Sequence, residues 1–254
     1  MTDREFDSAP APAPQAAGAP GGTGAFVTAP GVRNLRDAGG VDGTGRLRPG
    51  RIYRSGSLHT LTPEGAQQLK ALGLRTVVDL RSAAELDNWP DQRHGLDHEA
   101  LHLPTFPADR ESDQPWPDNQ ADLYLYLPRY AGPSVAATVR RLITPGALPA
   151  LIHCAVGKDR TGLTIAVLQA LLGATDAEIT ADFLLSNTGL DLLDGPTPYV
   201  DETGTERTSR PVTAALLHSS LTWIRETHGS VEGYVLAQGV TEEELAELRA
   251  VLGD

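Results

Sequence analysis

"ALPALIHCAVGKDRTGLTIAVLQALL", residues 147–172, holds the chain's only cysteine between two apolar runs. The first, "ALPALIHC", has the length and apolar content of a buried strand. The second, "TGLTIAVLQALL" from Thr161 to Leu172, is apolar on nearly every face, as a helix in the middle of a core must be. Five residues, Ala155 to Asp159, lie between the strand end at Cys154 and a helix starting at about Arg160. Their backbone N–H groups, with the free N–H groups of the helix's first turn, can converge on one anion. The segment predicts a phosphate-sized cradle with a thiol at its base.

Each residue type has a chemical reason to be there. The positive helix end, with Lys158 and Arg160 nearby, should hold Cys154 as a thiolate at neutral pH, centred beneath a bound phosphoryl group as an in-line nucleophile. Arg160 can grip two phosphoryl oxygens by a bidentate fork, a task lysine performs poorly. Thr161 can donate its hydroxyl to the sulfur and ease its departure from a phosphocysteine. Gly157 and Gly162 permit the tight path and the close helix packing. Ala155, Val156, Gly157, Lys158, Asp159 and Thr161 are therefore the candidate substrate-binding positions. The nucleotide-binding pattern G-x-x-x-x-G-K-[ST] fails here, because Ile152 stands at its first glycine and Asp159 follows the lysine.

Outward from this segment, "LRTVVDLRS" reads as a second buried parallel strand, with Asp79 and Arg81 near its carboxyl end. "TPEGAQQLKALG" reads as a helix capped by Thr62, with Pro63 in its first turn and Gly73 at its end. "GVRNLRDAGG" and "LRPGRIYRSG" read as short strands or loops, and His98 and His102 flank another strand. Residues 104–119, with four prolines, predict a surface loop. Helices are expected near 120–131, 133–143, 176–186, 212–227, 231–238 and 241–252, with a Gly/Pro/Thr-rich loop from 187 to 211. Strands alternate with helices first and helices dominate later, so the fold class is α/β with a mostly parallel central sheet flanked by helices.

Composition bounds the function. Of the first thirty residues, seventeen are Ala, Pro or Gly, a mix that predicts a disordered tail before a domain spanning 31–254. No signal peptide and no run of eighteen apolar residues is present, which points to a cytoplasmic protein without stable membrane insertion, export by another route aside. The net charge of −12 argues against nucleic acid as a partner, and residues 174–254 carry −11 of it. Six arginines between Gly31 and Arg54 make a basic strip, read equally as surface residues or as rim of the site. Histidines and carboxylates show no metal-ligand spacing, so no metal or other cofactor is expected. A single cysteine forms no internal disulfide, and an oxidised Cys154 would have no internal partner. Oligomeric state is not legible.

His153–Gly162 matches H-C-x5-R-[ST]-G and resembles the cysteine-dependent protein tyrosine phosphatases. Its Gly-Lys-Asp-Arg-Thr-Gly wording is similar to the bacterial tyrosine and lipid phosphatase branch. "RNLRDAGG", "RPGRIYRSG", "LTPEGAQQL", "LGLRTVVDLRSAAEL" and "YVLAQGVTEEELAELRAVL" carry the likeness across residues 31–252. It implies that family's fold and hydrolysis of phosphate monoesters on a phosphoprotein or phosphoinositide. Phosphotyrosine comes first among the implied substrates. The resemblance also places Arg36, Asp37, Arg54 and Ser55 near the rim of the cradle. A non-catalytic phosphate-binding or thiol redox-sensing module on the same fold is the alternative. A general acid must protonate the leaving oxygen. The resemblance points to Asp79; Asp159, Asp118 of "WPD" at 116–118 and Asp91 of "WPD" at 89–91 remain open. For Asp79 the competing role is a structural pair with an arginine.

Overall fold

The computed structural model describes residues 26–39, 46–106, 117, 119–200 and 205–253. Five strands form one sheet: β1 (Arg36–Asp37), β2 (Ile52–Ser55), β3 (Thr76–Asp79), β4 (Glu99–His102) and β5 (Ala150–His153). Their spatial order is β1-β2-β5-β3-β4, with only β1 antiparallel to its neighbour. The central strand β5 is the one that opens the quoted segment. Its register sets Ser55 and Asp79 on either side of His153, so three strand ends deliver their residues to one edge.

Strand alternation divides the core. Val78 and Ile152 point to a large cluster formed with the helices of the C-terminal half, whereas Val77 and Leu151 join Leu61, Ala66 and Leu69 on the opposite face. That second face is covered by α1 (Pro63–Ala71), which begins as expected. Thr62 caps it by accepting from the Gly65 amide, Pro63 occupies the first turn, and Gly73 leaves it at φ +66°. Ala29, assigned to the tail by composition, is 4% exposed within this smaller cluster, and Val27 donates to the Leu35 carbonyl at 2.9 Å. Packing into the domain thus begins before residue 31, and residues 1–25 of the expected tail lie outside the described residues. Burial of Ala29 and backbone pairing offset the entropy that its composition predicts it could not repay.

Two further corrections concern the helices and loops. The segments 120–131 and 133–143 are one helix, α3 (Gln120–Leu142), running through Pro128 and Pro133. Pro128 has no N–H for the Tyr124 carbonyl; the Ser220 hydroxyl donates to that carbonyl instead, from α6 (Ala214–His228). Tyr234, on α7 (Val231–Leu236), donates to the Pro128 carbonyl at 2.7 Å. The Ser220 hydroxyl thus supplies the donor that Pro128 removed, and Tyr234 adds a further anchor to the same helix. The loop expected from 187 to 211 contains a hairpin, β6 (Thr197–Val200) paired antiparallel with β7 (Glu206–Ser209). The core helix α4 (Asp159–Leu171), α5 (Asp176–Gly189) and α8 (Glu242–Leu252) complete the fold. Among the described residues no helix is long and apolar enough to cross a membrane.

Candidate active site

The 155–159 turn is a nest held open from outside. The Ser57 amide donates to the Ala155 carbonyl at 3.0 Å. The Gly157 carbonyl accepts from Asn34 Nδ2 at 2.9 Å and from Arg54 Nη2 at 3.0 Å. In a planar trans peptide the C=O of one residue and the N–H of the next point opposite ways. Pinning these carbonyls toward the body of the protein turns the Val156 and Lys158 amides into the concavity. Gly157 is indispensable to the path: its φ is +70°, and a Cβ there would lie 2.2 Å from the Ser55 carbonyl oxygen. Gly162 lets α4 approach Phe183, whose ring a Cβ would meet at 2.9 Å.

Cys154 sits at the base, 2% exposed, immediately after the central strand. Thr161 is fully buried and its hydroxyl has no hydrogen-bond partner among the described residues. Arg160, in the first turn of α4, meets Glu85 of α2 (Ala83–Asn88): Nη1 donates to Oε2 at 2.6 Å and Nη2 to Oε1 at 2.7 Å. Burial alone would raise the Glu85 carboxyl, but the Arg160 fork outweighs it and holds the group below the usual carboxylate range. Burial works against the Arg160 charge too, and the same pair pushes that guanidinium further up. A guanidinium has five N–H donors, so two spent on Glu85 leave three, of which Nε–H and one Nη–H share the side edge. The bidentate fork expected of Arg160 is thus left to its Nε–Nη side edge.

Lys158 does not extend freely into solvent. It is 4% exposed, and its ammonium donates to the Arg210 carbonyl at 2.7 Å, with Ser209 Oγ at 3.5 Å. Asp159 Oδ1 accepts the Tyr124 hydroxyl at 2.7 Å, and Asp159 Oδ2 lies 3.8 Å from Lys158 Nζ. Tyr124 is fully buried; burial first, then the facing Asp159 carboxylate, pushes its hydroxyl well above the ordinary phenol range.

The parallel sheet brings Asp79 beside His153, as its strand position requires. Its two oxygens, however, receive Arg81 Nε at 2.9 and 3.0 Å, Nη2 at 2.6 Å and the Arg81 amide at 2.9 Å. Burial opposes the charge of Asp79, yet His153 and this fourfold grip lower its carboxyl below the usual value. Asp91 accepts from Arg81 Nη2 at 2.9 Å and from the Leu58 amide at 2.8 Å, and His153 Nε2 stands 3.1 Å from its other oxygen, out of hydrogen-bond alignment. Ligand atoms of Asp79, Asp91 and His153 lie within 4.8 Å of one another. The Arg81 guanidinium bridges the two carboxylates and already supplies the cation there. Asp118 lies outside the described residues.

Of the basic strip, Arg36 and Arg54 are neither surface nor rim. Both are 0% exposed and share the buried carboxylate of Asp182 on α5, at 3.1 and 2.6 Å. Asp37 is structural, accepting the Gly39 and Gly50 amides. Sequence reasoning missed Glu85, Asn34, Tyr124 and Asp182. A signal existed for Glu85: Ser82-x-x-Glu85 is a capping-box pattern, and the box is formed. Asp182, a lone acid between apolar positions of a packed helix, was the other readable clue.

A thiol at the base of an inward-facing amide nest, at the carboxyl edge of a parallel sheet, defines a phosphoryl-handling enzyme of the cysteine class. The model of the tyrosine phosphatase family matches residues 27–254, and the chain belongs to that family. It is 30% identical over 275 residues to the triple specificity protein phosphatase PtpB of Mycobacterium tuberculosis, covering 88% of this chain and 97% of that one. It is 28% identical over 220 residues to a tyrosine-protein phosphatase of Nostoc commune, covering 80% of this chain and 74% of that one. Among solved structures, P. aeruginosa TpbA aligns with a TM-score of 0.41 at 20% identity, over 79% of this chain and 94% of that one. The chain is thus a protein-tyrosine phosphatase enzyme, and the non-catalytic alternative is set aside.

Proposed function

We propose that Cys154 is the nucleophile of a two-step hydrolysis of phosphate monoesters, with Arg160 and the amides from Ala155 to Thr161 binding the phosphoryl oxygens. The thiolate attacks phosphorus, the ester oxygen departs with a proton, and a phosphocysteine forms. Water then attacks phosphorus, giving up a proton as the sulfur leaves and inorganic phosphate is released. The free hydroxyl of Thr161 is available to the departing sulfur. The observation that carries this reading is the nest itself, with Cys154 beneath carbonyls pinned outward by Ser57, Asn34 and Arg54.

For the proton donor we favour Asp159 over Asp79. Asp79 is locked by Arg81, which suits the strand-end role weighed for it from sequence, whereas Asp159 stands in the loop with a single hydroxyl donor on one oxygen. Phosphotyrosine is the preferred substrate in this reading, because Lys158 spends its hydrogen bonds on Arg210 and Ser209 instead of reaching for further phosphates. Phosphoserine, phosphothreonine and phosphoinositides form the comparison set.

The test is a panel of phosphopeptides and phosphoinositides with wild type, Cys154→Ser, Asp159→Asn and Asp79→Asn. Cys154→Ser should abolish turnover, and activity at the wild-type level would overturn the mechanism. With an aryl phosphate, Asp159→Asn should lose the alkaline limb of the pH–rate profile, since a general acid must be protonated to act. If Asp79→Asn loses that limb instead, the acid is Asp79.

A further inference from the structure

Beneath the loop lies a charged group that takes no direct part in the hydrolysis. Arg54 donates through Nη1 to Asp182 at 2.6 Å and through Nη2 to the Gly157 carbonyl at 3.0 Å. Arg36 donates through Nε to the other Asp182 oxygen at 3.1 Å and through Nη1 to Asn34 Oδ1 at 2.5 Å. Asn34, held at φ +57°, in turn places its Nδ2 on the same Gly157 carbonyl. Two guanidiniums share one carboxylate, so the group is one positive charge in excess. Burial, and next the repulsion of Arg54, lowers Arg36 to about 10.

As a device for stability this is poor. Desolvating three charges costs more than such pairs usually return, and the fully buried Arg54 Nε has no acceptor among the described residues. Ser186 Oγ, 3.2 Å from Arg36 and 3.5 Å from Arg54, adds only weak further satisfaction. What the arrangement does secure is the orientation of one peptide. Two donors converge on the Gly157 carbonyl, and by planarity the Lys158 amide must face the anion. The surplus charge lies on the same side as these donors, where it adds to the field at the cradle.

We propose that Arg54, anchored by Asp182, is a positioning residue for oxyanion binding, acting through the Gly157–Lys158 peptide together with Asn34. This rests on the reading of the loop as the phosphoryl site. The experiment uses the Cys154→Ser chain, with sodium tungstate as the probe and calorimetric titration as the readout, so that binding is measured apart from turnover. Adding Arg54→Met leaves Arg36 and Asp182 as a balanced pair. It should weaken tungstate binding about tenfold, the scale of one hydrogen bond to a charged group. Arg54→Lys, which restores the charge and one donor, should recover most of the loss.

Asn34→Gly removes the second donor without strain at positive φ and without altering charge, and it should weaken binding in the same direction. If Arg54→Met does not fold, as judged by near-ultraviolet circular dichroism, Asn34→Gly alone decides. Folded variants that bind tungstate as tightly as their parent overturn the proposal. A Cys154→Ser chain that still hydrolyses aryl phosphate would overturn the hydrolytic reading instead, leaving the tungstate comparison to stand on its own.

Discussion

Replacing Glu85 by glutamine changes one oxygen to an amide and should disable the site from a distance. The carboxylate accepts two Arg160 donors at 2.6 and 2.7 Å and the Ser82 amide at 2.8 Å. Glutamine keeps one acceptor oxygen and presents an NH2 to a guanidinium, so the bidentate grip is lost. Breaking a buried pair outright costs about 3–5 kcal/mol. The Arg160 side chain retains 16% exposure, so water can reach it and the cost falls to the lower end. We expect about 3 kcal/mol for Glu85→Ala and about half of that for Glu85→Gln, which retains one bond. At about 2–4 °C per kcal/mol for a chain of this size, Glu85→Gln should lower Tm by about 3–6 °C.

The loss in catalysis should exceed the loss in stability. An Arg160 no longer held at its end samples rotamers that carry its free edge away from the phosphoryl oxygens. Losing about 2 kcal/mol of transition-state binding lowers kcat/KM for an aryl phosphate about thirtyfold. Ser82→Ala is the control: it breaks the capping box, costs about 1 kcal/mol of stability, and leaves Arg160 on its carboxylate with kcat/KM unchanged. If Glu85→Gln lowers Tm yet keeps kcat/KM within about twofold of wild type, Glu85 serves α2 and not the arginine, and the reasoning is refuted.

Acid should unfold the protein through its buried carboxylates. Asp79, Glu85, Asp91 and Asp182 are all held below their ordinary values by facing cations. The stability they contribute is fully present above the unfolded values of about 4 and is lost as pH falls through the lower folded ones. Asp37, raised mainly by burial, works weakly the other way. Urea midpoints at pH 7, 5 and 3 should be similar for the first two and markedly lower for the third; a flat series would contradict the burial of these pairs. Gly157→Ala adds a clash with the Ser55 carbonyl to about 1–3 kcal/mol of backbone strain, so activity should fall more than a hundredfold, an estimate of about 3 kcal/mol in all. Wild-type-like kinetics in that variant would mean the loop is differently shaped. With one cysteine, brief peroxide treatment should inactivate the enzyme, and dithiothreitol should restore it; resistance to peroxide would argue against an accessible thiolate.

Local chemistry was legible where it is self-contained. The strand–nest–helix unit and the Thr62 cap with Pro63 follow from patterns a few residues long. What escaped was settled by partners far along the chain. A break was expected between 131 and 133, but α3 continues through Pro133 with Ala131, Val135 and Val139 buried in the large core cluster. Arg36 and Arg54 look like surface charges until Asp182, more than a hundred residues on, draws them inside. The hairpin at β6 and β7 was hidden because short strands containing Pro198 carry a loop's composition. Arg160 was recognised as a phosphate ligand, but its orientation depends on Glu85, seventy-five residues earlier.

Those long separations have a consequence during synthesis. Asn34 and Arg54 hold the Gly157 carbonyl and Glu85 holds the Arg160 fork, but Arg54 is itself anchored by Asp182, which follows the whole 154–160 segment. Contacts spanning such stretches of chain form late, after the loops between them have closed. A ribosome-bound chain ending short of α5 would carry the complete signature sequence and yet lack the framework that aims it.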